Sequence, residues 1–496
     1  MASKDIGVQL QRMATKDLLS QAQGLHKKGE LDKAEAIYHQ ILNLDPENIG
    51  LWFLLAQINM QRGHSGLAIH LFKGVVEKKP DFMEAWNNMG CAFKQQHLDK
   101  SAGYCFERCL ALEPNNADFP SNISGLYVNN GTPEKVIEWA DRAIALAHCH
   151  EEGEDHPGVV QAKWHKALAL LEMKRFDEAW GPHEARLHKY SACKVALRNY
   201  HQEGMTPWWD GQSKGLVVIH GEQGLGDEIL FASCLPDAIK TGAELVYECP
   251  PRLEALMRES FPDIRIVGTH QQHGEDWMTP ETKVDYKCAI GSLPRFYRRR
   301  IEDFPGTPYL TTSTEKFYDY SQRLERLGPR MKVGIAWQGG VPKTRVDLRS
   351  LELSRWQPIL QSDADFISLQ YTTHAKDEVD AFREQTGIQI HHWPEAAGGG
   401  DLEDHAALIQ NLDLVITVCQ TAYHVAGAVG TPAWVLTPSA PDWRSGVSGE
   451  MPWYSSLKHF RQIGSDWDTV IENVKCSLQK LIENSKQGSI RIRNTA

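Results

Sequence analysis

Along the first third of the chain, apolar positions recur at helical spacing, and the whole pattern repeats every 34 residues. Pro46, Pro80 and Pro114 keep that step, as do Ala34, Ala68 and Ala102, and Tyr38, Phe72 and Phe106. Trp52 and Trp86 follow it, as do Gly29, Gly63 and Gly131, with His97 at the intervening place. Each period predicts two helices joined by a turn at the Gly. The small Ala lets paired helices approach, the aromatic fills the space between them, and the Pro stops the second helix. A fourth period, near 122–147, keeps Tyr127 and Gly131 but loses the Ala and the Pro. The stretch "WHKALALLEMKRFDEAWGPHEARL" (164–187) reads as a fifth. Before it, "HCHEEGEDHPG" (148–158) reads as a loop extension with solvated His and Glu side chains.

Beyond residues 198–215 the period changes. Short apolar, β-branched runs alternate with helical stretches, which predicts strands at 216–220, 244–248, 264–267 and 286–290. A second series follows at 333–338, 366–370, 389–392, 412–418 and 434–436. Continuous apolar strands with helical crossovers predict parallel sheets covered on both faces. The fold class is therefore α plus α/β: a helical solenoid (1–190), a linker (191–214), two Rossmann-like lobes (215–328 and 329–485) and a tail (486–496). Two such lobes facing each other make a cleft at the carboxyl ends of their strands, where these sheets bind ligands.

Composition narrows the classes. With 496 residues the chain exceeds one ordinary core. The formal net charge of −11 argues against a sequence-independent nucleic-acid binder. The amino terminus has no signal-like apolar core, and no run is long enough to span a membrane. The 10 cysteines form no C-x-x-C pair, and Cys105 and Cys109 read as small core residues. A cytoplasmic protein is expected.

The repeat positions resemble the tetratricopeptide repeat. That resemblance implies a concave binding surface for a protein or peptide partner, or for the rest of the chain.

Candidate chemistry begins at "VVIHGEQGLGDEILFASCL" (217–235), where an apolar run ends in a loop with Gly221, Gly224 and Gly226. The spacing is neither the dinucleotide G-x-G-x-x-G nor a P-loop. The loop carries Glu222, Asp227 and Glu228 but no cation, an odd choice for a phosphate cradle. Two readings stand. The glycines allow a tight strand-to-helix turn with Asp227 favourable at the helix start, or a cleft-facing carboxylate accepts a proton from a hydroxyl nucleophile.

A better anion site is "VITVCQTAYHVAGAVGTP" (415–432), a buried strand followed by a small-residue helix. Gln420 and Thr421 stand at the helix start, where free N–H groups favour anions, and His424 is one turn on. Lys343, Arg345 and Arg349 cluster after the strand at 333–338, as a solvated charge group or as phosphate contacts. Trp337, Gln338, Gln370 and Tyr371 end strands on the same side and are further donor-site candidates. In "PDWRSGVSGEMPWYSS" (441–456), Trp443, Trp453 and Tyr454 either line a pocket or pack a loop on the core. Cys419 is a nucleophile candidate or, more simply, a small buried filler. His391 and His392 point opposite ways in a strand, which disfavours a joint metal site.

At these blocks, "GEQGLGDEILFASCL", "VGIAWQGG…RSLELSRWQPIL…FISLQY", "LIQNLDLVITVCQTAYHVAGAVGTPAWVLTPSAPDWR" and "MPWYSSLKHFRQ", the chain resembles tetratricopeptide-linked GT-B glycosyltransferases, relatives of the bacterial heptosyltransferases. "CQTA-x-H" and "PKTRVDLRS" are most similar to flagellin-modifying members, which use a CMP-nonulosonic acid donor. The resemblance implies a metal-independent glycosyltransferase with no cofactor beyond its nucleotide-sugar co-substrate. It implies Asp227 as general base, donor phosphate at 419–424, Lys343 as a phosphate contact, and an acceptor protein, flagellin among the candidates, on the repeats. One departure stands out: many relatives have Asp-Thr-Ala where this chain has Cys419-Gln420-Thr421. The rival expectations are a tetratricopeptide adaptor or chaperone with a degenerate cleft, and a nucleotide-sugar epimerase or hydrolase.

Overall fold

The computed structural model describes residues 2–128, 131–191, 193, 195, 200, 205–222, 224–269, 277–279, 282–340, 346–446 and 448–487. The chain divides into two compact units, Met1–Lys166 and Ala167–Ala496.

The first unit is a tetratricopeptide-like solenoid of paired helices. Ile49–Gln61 pairs with Ser65–Lys78, and Met83–Gln95 with Asp99–Leu112. Ala34, Ala68, Ala102, Tyr38, Phe72 and Phe106 are all fully buried, as the 34-residue period requires. The two Trp residues do equivalent work: the Trp52 indole donates to the Pro46 carbonyl (3.1 Å) and Trp86 to Pro80 (2.9 Å), tying each helix back to the turn before it. The turns need a left-handed residue, and Gly29, Gly63 and Gly131 supply it with φ of 80°, 79° and 69°. His97 adopts φ 57° at the same place despite its Cβ. In the fourth repeat Val136 and Ala140 occupy the places of Ala102 and Phe106, and both are buried, so small and large exchange sides. The extension at 148–158 keeps His148, Glu151, Glu152 and Glu154 exposed, as expected of a solvated loop. It also forms two short 3-10 turns, the His150 and His156 rings stack 3.7 Å apart, and His150 Nε2 accepts from the Ala117 amide.

The second unit opens with Phe176–His183, part of the expected fifth repeat, followed by a 3-10 turn at Glu184–Leu187. Two parallel sheets follow. The first contains β1 (Leu216–His220), β2 (Glu244–Cys249), β3 (Arg265–Gly268) and β4 (Tyr286–Ala289), in the order β3-β2-β1-β4. The second contains β5 (Met331–Ala336), β6 (Ala364–Ser368), β7 (Ile390–His392), β8 (Leu414–Val418), β9 (Ala433–Thr437) and β10 (Leu457–Arg461). Its order is β10-β9-β8-β5-β6-β7, parallel throughout. β5, β6 and β8 are buried at every position, which is why they read as mainly apolar runs; the exceptions in β5 and β6, Lys332 and Asp365, pair with each other at 2.7 Å. The helix Asp468–Lys486 covers this sheet with Val470, Val474, Leu478 and Ile482, one residue per turn. Among the described residues no helix is long and apolar enough to cross a membrane.

Candidate functional site

The loops after β1 and β8 lead into two helices, Leu225–Ala232 and Thr421–Val429, which pack against each other. Their approach depends on small residues. A Cβ at Gly226 would lie 2.9 Å from Cδ2 of His424, and Gly427 faces the Tyr454 ring with no room for a Cβ. Tyr309 ties the pair together, its amide donating to the Ala428 carbonyl (2.9 Å) and its hydroxyl to that of Ile229 (2.6 Å). None of Gly221, Gly224 and Gly226 has positive φ. The loop therefore does not use glycine for a left-handed turn; at Gly226 it uses it for close approach. Gly224 is extended, and the nearest atom to a Cβ there is 3.9 Å away.

The three carboxylates of the loop have three different partners. Glu222 is fully buried and held by Arg186, Nε to Oε2 and Nη2 to Oε1, both 2.7 Å. Burial alone would raise its pKa, but the Arg186 charge outweighs that and lowers it. Glu228 accepts from the Glu222 amide and the Tyr247 hydroxyl, both at 2.5 Å. Burial pushes Glu228 up to about 8, so it is a neutral acid at pH 7. Asp227, in the first turn of Leu225–Ala232, pairs with Arg444 from the loop between β9 and β10. Arg444 Nε donates to Asp227 Oδ1 at 2.7 Å, and Nη2 donates to the same oxygen. Both side chains keep partial access to solvent, 15% for Asp227 and 17% for Arg444. The guanidinium also stacks 4.6 Å over Trp443, and Asp442 accepts from the Arg444 and Ser445 amides.

On the helix packed against it, Gln420 is the N-cap residue, and among the described residues no side chain caps that end. The Gln420 side-chain Nε2 donates to Thr417 Oγ1 at 3.4 Å. Thr421 is half-buried at the first helical position. His424 is buried, its Nδ1 3.2 Å from the Tyr454 hydroxyl, and burial lowers its pKa. Cys419 is buried and pushed up to about 12, which leaves a thiol with no thiolate at neutral pH and suits the filler reading. Lys343 and Arg345 lie outside the described residues.

The strand-end candidates divide. Trp337 is fully buried, and its indole donates to Glu378 at 2.8 Å. Gln370 is also buried; its Oε1 accepts the Trp337 and Gln338 amides and its Nε2 donates to the Gln338 carbonyl. Both are engaged inside the fold and hold the loop after β5, and Gln338 is fixed by them. Tyr371 is 39% exposed. The aromatic loop packs on the core: Trp453 meets Phe304 at 4.8 Å, Trp443 stacks at 6.2 Å on Phe231 of Leu225–Ala232, and Tyr454 reaches His424 of Thr421–Val429. Among the described residues no three His, Cys, Asp or Glu side chains gather to hold a metal ion.

Arg186, Tyr309 and Arg444 do not stand out in the sequence. A buried carboxylate demands a cation, which was the available signal, but the demand does not say which cation answers it.

A tetratricopeptide repeat profile matches residues 25–99. Protein FlbA of Caulobacter vibrioides is 27% identical over 504 residues, covering 91% of this chain and 82% of that protein. A match of that extent takes in the sheets as well as the repeats. Human tetratricopeptide repeat protein 7A is 28% identical over 96 residues, 19% of this chain and 11% of that protein. Among solved structures, that of MamA is 25% identical with a TM-score of 0.30, covering 34% of this chain and 92% of MamA.

Proposed function

We propose that the chain is a glycosyltransferase of GT-B type that moves a sugar from a nucleotide donor to a protein Ser or Thr hydroxyl. The observation that supports this most directly is the packing of Asp227's helix, Leu225–Ala232, against Thr421–Val429, at the carboxyl ends of two parallel sheets. Parallel sheets bind ligands at that end. A helix start without a side-chain cap among the described residues, with the Arg444 charge acting on Tyr423 in its first turn, suits the donor phosphate, and a carboxylate on the helix packed against it suits a general base. In the step proposed, the acceptor oxygen bonds to the anomeric carbon and the bond from that carbon to the phosphate oxygen breaks. The electron pair leaves with the nucleotide, and the hydroxyl proton passes to Asp227. Helix N–H groups and Arg444 stabilise the departing charge. The tetratricopeptide repeats take the acceptor protein. The resemblance at Cys419–His424 suggests a CMP-nonulosonic acid donor and flagellin as acceptor.

A second reading, an adaptor with an inert cleft, draws on the Arg444 contact, which occupies an Asp227 oxygen. Intact-mass analysis of proteins co-purified with the chain separates the two. A discrete mass increment on a bound protein, absent with Asp227→Ala, is expected. Unmodified partners with both proteins, or full modification by the variant, would overturn the proposal.

A further inference from the structure

The contact that occupies Asp227 joins two elements 217 residues apart in sequence, and its two donors converge on one oxygen. Arg444 is not locked there by its own surroundings. Its guanidinium lies over Trp443, with Nη1 3.8 Å from Asp442 Oδ2, so it is flanked by alternatives on one loop. Its charge also acts on the side chains of Tyr423 and His424, in the first turn of Thr421–Val429. One buried polar group within range of its charge points to a missing ligand. Among the described residues, the Tyr423 hydroxyl has no hydrogen-bond partner, and Tyr423 is 1% exposed. A buried hydroxyl left without a partner costs about 1–3 kcal/mol, so such a hydroxyl near a cation, in the first turn of a helix, suits an anion with several oxygens.

We propose that Arg444 is a phosphate ligand held in reserve by Asp227. A nucleotide phosphate seated at the start of Thr421–Val429, near the unpartnered Tyr423 hydroxyl, takes the guanidinium over. The exchange releases Asp227 Oδ1 to receive the acceptor's proton. A phosphate offers the planar fork more oxygens and more charge than a single carboxylate oxygen does. The donor must then bind before the base is available, which keeps the carboxylate masked while the cleft is empty. This rests on the nucleotide-sugar reading above.

The test is calorimetric titration of the full chain with CMP, UDP and GDP, with the matching nucleosides as controls. Asp227→Asn removes the competing charge, so the nucleotide that binds should bind about 3–10-fold tighter to it. Arg444→Ala should weaken the same nucleotide at least about tenfold, Arg444→Lys less, and nucleoside affinity should not move in any variant. A merely structural pairing predicts equal weakening by Asp227→Asn and Arg444→Ala, and that result overturns the exchange. So does an unchanged affinity in Arg444→Ala. If the wild-type chain binds none of the three nucleotides, the glycosyltransferase reading fails and this inference with it, a result distinct from the other two.

Discussion

Arg186 and Glu222 meet fork to fork inside the second unit, two parallel hydrogen bonds of 2.7 Å between side chains with no exposure to solvent. Glu222 Oε1 also accepts the Gly291 amide at 2.7 Å, and Arg186 Nη2 donates to Ser292 Oγ at 2.9 Å. The pair joins the turn after Phe176–His183, the glycine loop and the end of β4 at one point. Removing either partner strands a buried charge. Arg186→Met should therefore destabilise the second unit by about 3–5 kcal/mol, whereas Arg186→Met with Glu222→Leu should recover most of it. Denaturant unfolding of the three proteins decides this; a silent single variant would show that the pair holds nothing.

The glycines of the loop should not be equivalent. Gly226→Ala sets a Cβ against the His424 ring, which is itself held by Tyr454. It should cost about 1–3 kcal/mol, part of which His424→Ala restores in combination. Gly224→Ala meets nothing closer than 3.9 Å on extended backbone and should stay within about 0.5 kcal/mol of the wild type. Equal losses at the two positions would refute the close-approach account.

Glu228 gives the stability a definite pH slope. Its folded pKa, about 8, lies above the ordinary 4.5, so between those values the folded state holds a proton that the unfolded chain lacks. Its contribution is present at pH 4.5 and is lost as pH rises toward 8. Glu228→Gln keeps an acceptor for the Glu222 amide and removes the titration, while its Nε2 donates to the Tyr247 hydroxyl, which then accepts. It should match the wild type near pH 5 and exceed it at pH 8 by on the order of a few kcal/mol. Melting curves at the two pH values test this; parallel losses for both proteins would remove Glu228 as the source.

His97 holds φ 57° where its counterparts are glycine. His97→Gly should relieve that strain and, after the extra backbone entropy of the unfolded chain, leave the first unit unchanged or up to about 1 kcal/mol more stable. A clear loss of stability on thermal unfolding would mean that the imidazole makes a contact worth more than the strain.

The residues of the repeats were legible because each one answers to neighbours at fixed offsets. A 34-residue step returns every side chain to the same environment, so Ala, aromatic, turn residue and Pro recur together. Strands such as β1, β8 and β9 were legible because burial on both faces leaves mainly apolar runs. β10 was missed because it is half-exposed, with Lys458 and His459 breaking the run. Trp337 and Gln370 were read as cleft residues because position at a strand end does not fix side-chain direction; one is consumed by the core and the other by the backbone it supports.

By itself the sequence determined where helices and strands form, that the strands run parallel, and that one glycine loop carries three carboxylates, because backbone period and burial act on neighbours along the chain. Only the tertiary structure decided what those carboxylates are. Glu222 found its cation 36 residues upstream, Asp227 found one 217 residues downstream, and Glu228 found none and is held neutral. The charge of a carboxylate is set by what lies within a few ångströms in space, and no local pattern chooses among the 53 lysines and arginines of this chain.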